Sequence, residues 1–158
     1  MTSNYIESLE SSLLVKCDKL EQLIALSEQQ KDVVSSEIIE WEKFDKIVDE
    51  KSAIIDELDK LDSGFDIVYN NIKADIEKNK DAYKSHVVKM QKLIKEVTER
   101  STKLMALEQR NKNTIEQAFA KERKQIASNK MTNKIATGYY NSMNKINYID
   151  PQLMDTKK

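Results

Sequence analysis

Apolar residues recur at steps of three and four along most of the chain, the spacing that puts them on one side of an α-helix. The first stripe is Ile6, Leu9, Leu13, Cys17, Leu20, Leu23 and Ile24, which predicts a helix over about 4–34 with Ser3 and Asn4 placed to cap it. Val33-Val34-Ser35-Ser36 interrupts the pattern with β-branched residues and a pair of capping serines. A second helix over about 37–62 carries Trp41, Phe44, Ile47, Val48, Ile54, Ile55, Leu58 and Leu61. Positions 44, 47, 51, 54, 58 and 61 form a heptad seam whose polar member is Lys51, a substitution that often fixes register.

Asp62-Ser63-Gly64-Phe65-Asp66 reads as a chain reversal, because glycine accepts the left-handed conformation that ends a helix. Beyond it, a third helix is expected over about 66–98 and a fourth over about 101–128, with Asn111 on the latter's stripe. Thr98-Glu99-Arg100-Ser101-Thr102 holds neither Gly nor Pro, so a turn and a continuous helix both fit it. A break there gives four segments of about 40–50 Å; without it the second half is one helix of roughly 95 Å. The expected fold is all-α, an elongated antiparallel bundle of three or four long amphipathic helices with coiled-coil-like packing. In domain terms, residues 1–128 are the bundle and residues 129–158 a flexible or conditionally ordered tail.

Composition narrows the functional classes. Two Gly and one Pro in 158 residues leave little material for β-hairpins or phosphate loops. The formal net charge of -1 conceals a gradient: residues 1–79 hold 19 Asp+Glu against 9 Lys+Arg, and residues 80–158 hold 8 against 17. Acidic and basic helices are therefore expected to lie antiparallel and attract one another. A nucleic-acid footprint is disfavoured, since the lysines are dispersed and no aromatic platform accompanies them.

The single His86, Cys17 and Trp41 supply neither a zinc site nor a disulfide framework. His86 also has Tyr83 three residues before it, which excludes the Glu-x-x-His pairs of di-metal bundles in their usual form. Acidic pairs such as Asp49-Glu50 and Asp56-Glu57 read as solvated surface rather than acid-base machinery. No enzymatic activity, metal, cofactor or small-molecule substrate is expected. The chain has no apolar run of membrane-spanning length and no basic-then-apolar leader, so a cytoplasmic location is the default expectation.

After residue 128 the composition shifts to Asn, Lys, Met and Tyr, yet the segment retains Met131, Ile135, Tyr139, Tyr140, Met143, Ile146, Tyr148, Ile149, Leu153 and Met154. A disordered tail is usually poorer in such groups, so this one is expected to fold against its own bundle or a partner. The run Ala136-Thr137-Gly138-Tyr139-Tyr140-Asn141-Ser142-Met143, then Tyr148-Ile149-Asp150-Pro151 and a close on Asp155-Thr156-Lys157-Lys158, resembles the C-terminus of FlgN-type flagellar export chaperones of Gram-positive bacteria. The Leu-rich opening helix, the second helix with Trp41, Phe44 and Leu58-Asp59-Lys60-Leu61, and the Lys-rich second half are similar too. Where members often place an Arg after the second helix, this chain has Asp62-Ser63-Gly64.

The resemblance implies a non-enzymatic chaperone of the flagellar type III export pathway. Such a protein binds the C-terminal helical segments of hook-associated proteins, prevents their premature assembly and delivers them to the export gate. A cargo helix in a groove between bundle helices would be anchored by apolar side chains at helical spacing. The candidate partner-binding residues are Ile115, Phe119 and Ile126 on the last helix, with Met131, Ile135, Tyr139, Tyr140 and Met143 as the mobile part. For the three stripe residues, ordinary bundle core is the competing reading. By analogy, Tyr139 and Tyr140 would contact the export gate or cover the empty groove. Truncation after Ser128 is expected to weaken the cargo complex or abolish its gate contact. A monomer or weak homodimer is expected; the alternative is a structural coiled-coil protein acting through self-association.

Overall fold

A computed structural model describes residues 2–123 and 129–146. They form α1 (Thr2–Val34), α2 (Trp41–Lys78), α3 (Lys84–Arg123) and α4 (Asn129–Ile146), with no strand among the described residues. The expected all-α bundle is what the chain builds.

Three of the four helices are long, about 50–60 Å at 1.5 Å per residue, and α4 is about half that. Polar pairs fix their directions. Between α1 and α2 the partners run in opposite order: Thr2 with Asp75, Lys16 with Asp62, Lys19 with Glu57, Gln30 with Lys51. Between α1 and α3 they rise together: Glu10 with His86, Glu21 with Arg100, Ser27 with Glu108. Helix α4 follows the direction of α2, with Tyr139 beside Phe44 and Lys145 paired with Asp56. The path is up, down, up, down. Both α1 and α4 lie against α2 and α3, so α2 and α3 occupy one diagonal of the bundle and α1 and α4 the other.

The interruption after Val34 is present, although α2 starts at Trp41 rather than near 37. The reversal expected at 62–66 is absent: α2 runs through Gly64, which has no positive φ, to Lys78. The seam explains this, because Phe65 and Ile72 continue the buried row of Phe44, Lys51 and Leu58. Burying one such side chain contributes roughly 1.5–3 kcal/mol, more than the ~1 kcal/mol that a glycine costs inside a helix. The real turn is at 79–83, where Glu77 to Ala82 offer no large apolar group to bury. There Asn79 closes α2, its backbone N–H and its side-chain amide both donating to Asp75.

Residues 98–102 are likewise helical, so the two helices expected over 66–98 and 101–128 are replaced by the end of α2 and the single α3. Val97, Ser101 and Leu104 are all buried there. The first 18 residues of the expected tail form α4, with Ile135, Ala136 and Tyr139 buried against α2 and α3. Ser3 and Asn4 fall inside the first turn of α1, and it is Thr2 whose hydroxyl donates to Asp75, at 2.6 Å.

The acidic and basic halves do pair across helices, through Glu10–Lys89, Glu21–Arg100 and Asp56–Lys145. Basic α3 is parallel to acidic α1, however, and lies diagonally from acidic α2 rather than beside it.

Candidate functional site

The end of the bundle that contains α4 differs from the other. The cluster running from Ile6 to Leu107, which α4 touches through Met143, is otherwise aliphatic, with Phe65 and the half-buried Tyr69 and Tyr83 as its aromatics. Where α4 lies, Trp41 and Phe44 of α2, Phe119 of α3 and Tyr139 and Tyr140 of α4 form a continuous aromatic cluster. The Trp41 and Phe119 rings stack with centroids 5.2 Å apart; Phe44 meets Phe119 edge-on at 5.7 Å and Tyr139 at 5.8 Å. Tyr140 lies 6.3 Å from Phe119. Such pairs contribute about 0.5–1.5 kcal/mol each beyond the area they bury.

A buried polar layer borders this cluster. Lys51 of α2 donates to Gln30 Oε1 of α1 at 2.9 Å and to Glu108 Oε1 of α3, which also accepts from the Ser27 hydroxyl. Asn111 donates to the Ser27 carbonyl at 2.9 Å. The layer is incompletely satisfied. Glu108 Oε2, Gln30 Nε2, Tyr139 Oη and Ser142 Oγ are buried with no hydrogen-bond partner among the described residues. Burial pushes the Tyr139 hydroxyl well above the ordinary tyrosine range, and the nearby Glu108 charge pushes it further. Tyr139 and Ser142 are three residues apart, on one face of α4. The helix therefore seats an apolar stripe together with two buried hydroxyls that have no partner among the described residues.

Of the residues expected to bind a partner, Ile115, Phe119, Ile135 and Tyr139 are brought together in this cluster, none more than 3% exposed. Tyr140 and Met143 are half-buried at its edge. Met131 lies on the first turn of α4, and Ile126 lies outside the described residues. The stripe residues of α3 are thus bundle core, the competing reading, and α4 folds against its own chain. Trp41 and Phe44, which the sequence places on the second helix's stripe and not among the binding candidates, form the other wall, and Glu108 is not among the candidates either. Its position seven residues before Ile115 on the same row was the available signal.

Beside the cluster, an open cleft of about 700 Å³ lies between the 35–40 loop and the outer side of α3, lined by Val34, Ile38, Ile39, Trp41, Ala118 and Lys121 among others. Ile38 is 85% exposed at its mouth. Among the described residues, no three His, Cys, Asp or Glu side chains gather as a metal site, and no helix is long and apolar enough to cross a membrane. Compared with protein-family models, with curated proteins and with solved structures, the chain finds no match.

Proposed function

We propose that this chain is a cytoplasmic export chaperone for helical segments of flagellar hook-associated proteins, and that α4 occupies the place a cargo helix takes. One observation carries the reading: an 18-residue amphipathic helix is laid between α2 and α3, with Tyr139 inserted among Phe44, Phe119 and Tyr140. A helix lying in a groove between helices is the geometry by which such proteins recognise amphipathic guests. Its hold is imperfect. Each unpartnered buried hydroxyl costs on the order of 1–3 kcal/mol, so a guest with apolar groups at the positions of Tyr139 and Ser142 would bind the same groove more favourably.

In this mechanism Ile115 and Phe119 are the groove wall that the guest touches. Ile135, Tyr139, Tyr140 and Met143 are the cover that it displaces. Delivery to the export gate of the type III pathway follows from the resemblance of the tail.

This reverses the expected effect of truncation. Removing everything after Ser128 is now expected to open the groove and tighten cargo binding, while lowering solubility. The test is co-expression and isothermal titration with the C-terminal segment of a hook-associated protein. Its arms are the full chain, the truncated form, and Tyr139→Ala with Tyr140→Ala, which loosens α4 without deleting it. Tighter binding by both variants supports displacement. Failure of the full chain to bind any such segment, or loss of binding in the double variant, would remove it. A stable homo-oligomer indifferent to cargo would point to a self-associating coiled-coil protein instead.

A further inference from the structure

We propose that the outer face of α3 is a docking surface for an anionic lipid membrane. Of the fifteen charged residues of α3, ten are basic and five acidic, and six of the basic ones share one face. At 100° per residue, Lys84, Lys92, Lys95, Lys103, Arg110 and Lys121 fall within roughly 100° of arc. All six are exposed, and none forms an ion pair among the described residues. Glu96 and Glu122 are half-buried, Glu116 lies off the arc in an i,i+4 pair with Lys112, Glu108 is buried, and Glu99 is the one acid exposed within the arc. The result is a nearly one-signed ridge about 55 Å long on a helix that runs without a break.

The rest of the bundle gives this ridge an orientation. The most acidic helix, α2, has eleven Asp and Glu against six Lys and sits on the opposite corner. The molecule is nearly neutral as a whole but strongly polarised across that diagonal. A flat anionic surface attracts the α3 side and leaves the α2 side facing solution.

Shape and chemistry favour lipid over nucleic acid. The single aromatic of α3 is Phe119, which is buried, so the ridge offers no stacking platform for bases. Its neutral positions include the short Thr102, Ala106 and Asn113, with Gln117 as a long polar one. Val88, 56% exposed, lies on the same arc between Lys84 and Lys92. An apolar side chain among lysines gains from the acyl boundary of a bilayer and gains nothing from phosphodiesters. This surface is independent of the groove under α4 and of whatever that groove carries.

The test is co-sedimentation of the full chain with vesicles of phosphatidylcholine alone and of phosphatidylcholine with about one-third phosphatidylglycerol, over a salt series. Each lysine close to an anionic surface is worth roughly fivefold in affinity. Lys92→Gln with Lys95→Gln and Lys103→Gln is therefore expected to weaken retention about a hundredfold. Lys43→Gln with Lys46→Gln and Lys60→Gln removes the same charge from α2, at exposed positions, and should change it little. All substituted side chains are solvent-facing, and circular dichroism would verify that each variant folds. The proposal is overturned if anionic vesicles fail to retain the chain at low salt. Equal weakening by the two triple variants, or tighter retention on duplex DNA or polyglutamate than on anionic vesicles, would overturn it as well.

Discussion

Lys51 on α2 and Glu108 on α3 meet across the diagonal of the bundle, each side chain 2% exposed. Removing two charges from water costs several kcal/mol per ion, and their attraction only roughly offsets that. Burial holds the Lys51 ammonium below its ordinary 10.5, although the Glu108 charge and hydrogen bond oppose the shift. Lys51→Met alone strands the Glu108 carboxylate and should cost about 3–5 kcal/mol. Adding Glu108→Leu should recover that loss, and buried pairs replaced in this way often gain about 1–4 kcal/mol over the original. Urea unfolding of the four proteins in a double-mutant cycle measures both. A Lys51→Met protein as stable as the parent would mean that the pair is open to water. The native lysine also has a pH signature: between its lowered value and 10.5 the unfolded chain binds more protons, so stability rises with pH across that window.

Tyr139 is the side chain on which packing and polarity disagree. Its ring joins Phe44, Phe119 and Tyr140, while its hydroxyl has no partner among the described residues and lies near the Glu108 charge. Tyr139→Phe should therefore raise stability by about 1 kcal/mol, with a higher melting temperature. In the displacement mechanism it should also lower guest affinity, because the cover is held more tightly. Phe119→Ala, which removes the centre of the cluster, should cost about 3–5 kcal/mol. A destabilised Tyr139→Phe would show that the hydroxyl is satisfied.

Gly64 marks where the sequence misleads. It lies on the exposed side of α2 in helical conformation, and a Cβ built on it meets nothing within 4 Å. Gly64→Ala should accordingly stabilise the chain by roughly 0.5–1 kcal/mol, read as a shift in urea midpoint. Had the residue ended a helix in the left-handed region, the same change would destabilise. The stripes Ile6 to Ile24 and Phe44 to Leu61 were legible because burial and spacing agree there. Local punctuation was not, since Asp62-Ser63-Gly64 is a good stop signal that the buried Phe65 and Ile72 override. The true stop, Asn79 with Lys80 and Asp81, is marked by a gap in the apolar row. At the site, spacing identified Ile115, Phe119, Ile135 and Tyr139, yet spacing is the same for a residue that buries against its own helix and one that awaits a guest.

Two carboxylates contribute to acid stability with opposite signs, beside Asp75, whose hydrogen bond from the Thr2 hydroxyl holds it below its ordinary value. Burial raises Glu10, but hydrogen bonds from His86, at 2.8 Å, and from Lys89 outweigh it and hold the carboxyl below its ordinary 4.5. The folded chain then binds fewer protons than the unfolded one just below 4.5. The contribution of Glu10 is complete above that value and is lost as pH falls through the lowered one. Asp62 is the reverse: burial lifts its carboxyl above 3.8 despite the Lys16 ammonium 2.7 Å away. Between 3.8 and the raised value the folded chain binds more protons, so acidification through that window favours folding and offsets part of the loss at Glu10. Glu10→Gln should cost about 1–2 kcal/mol near neutrality and make the acid limb shallower. Asp62→Asn should make it steeper, because the compensating titration is gone. Urea unfolding at a series of values from about pH 7 to about pH 3.5 separates the two. Parallel acid limbs for parent, Glu10→Gln and Asp62→Asn would mean that neither carboxylate governs acid unfolding.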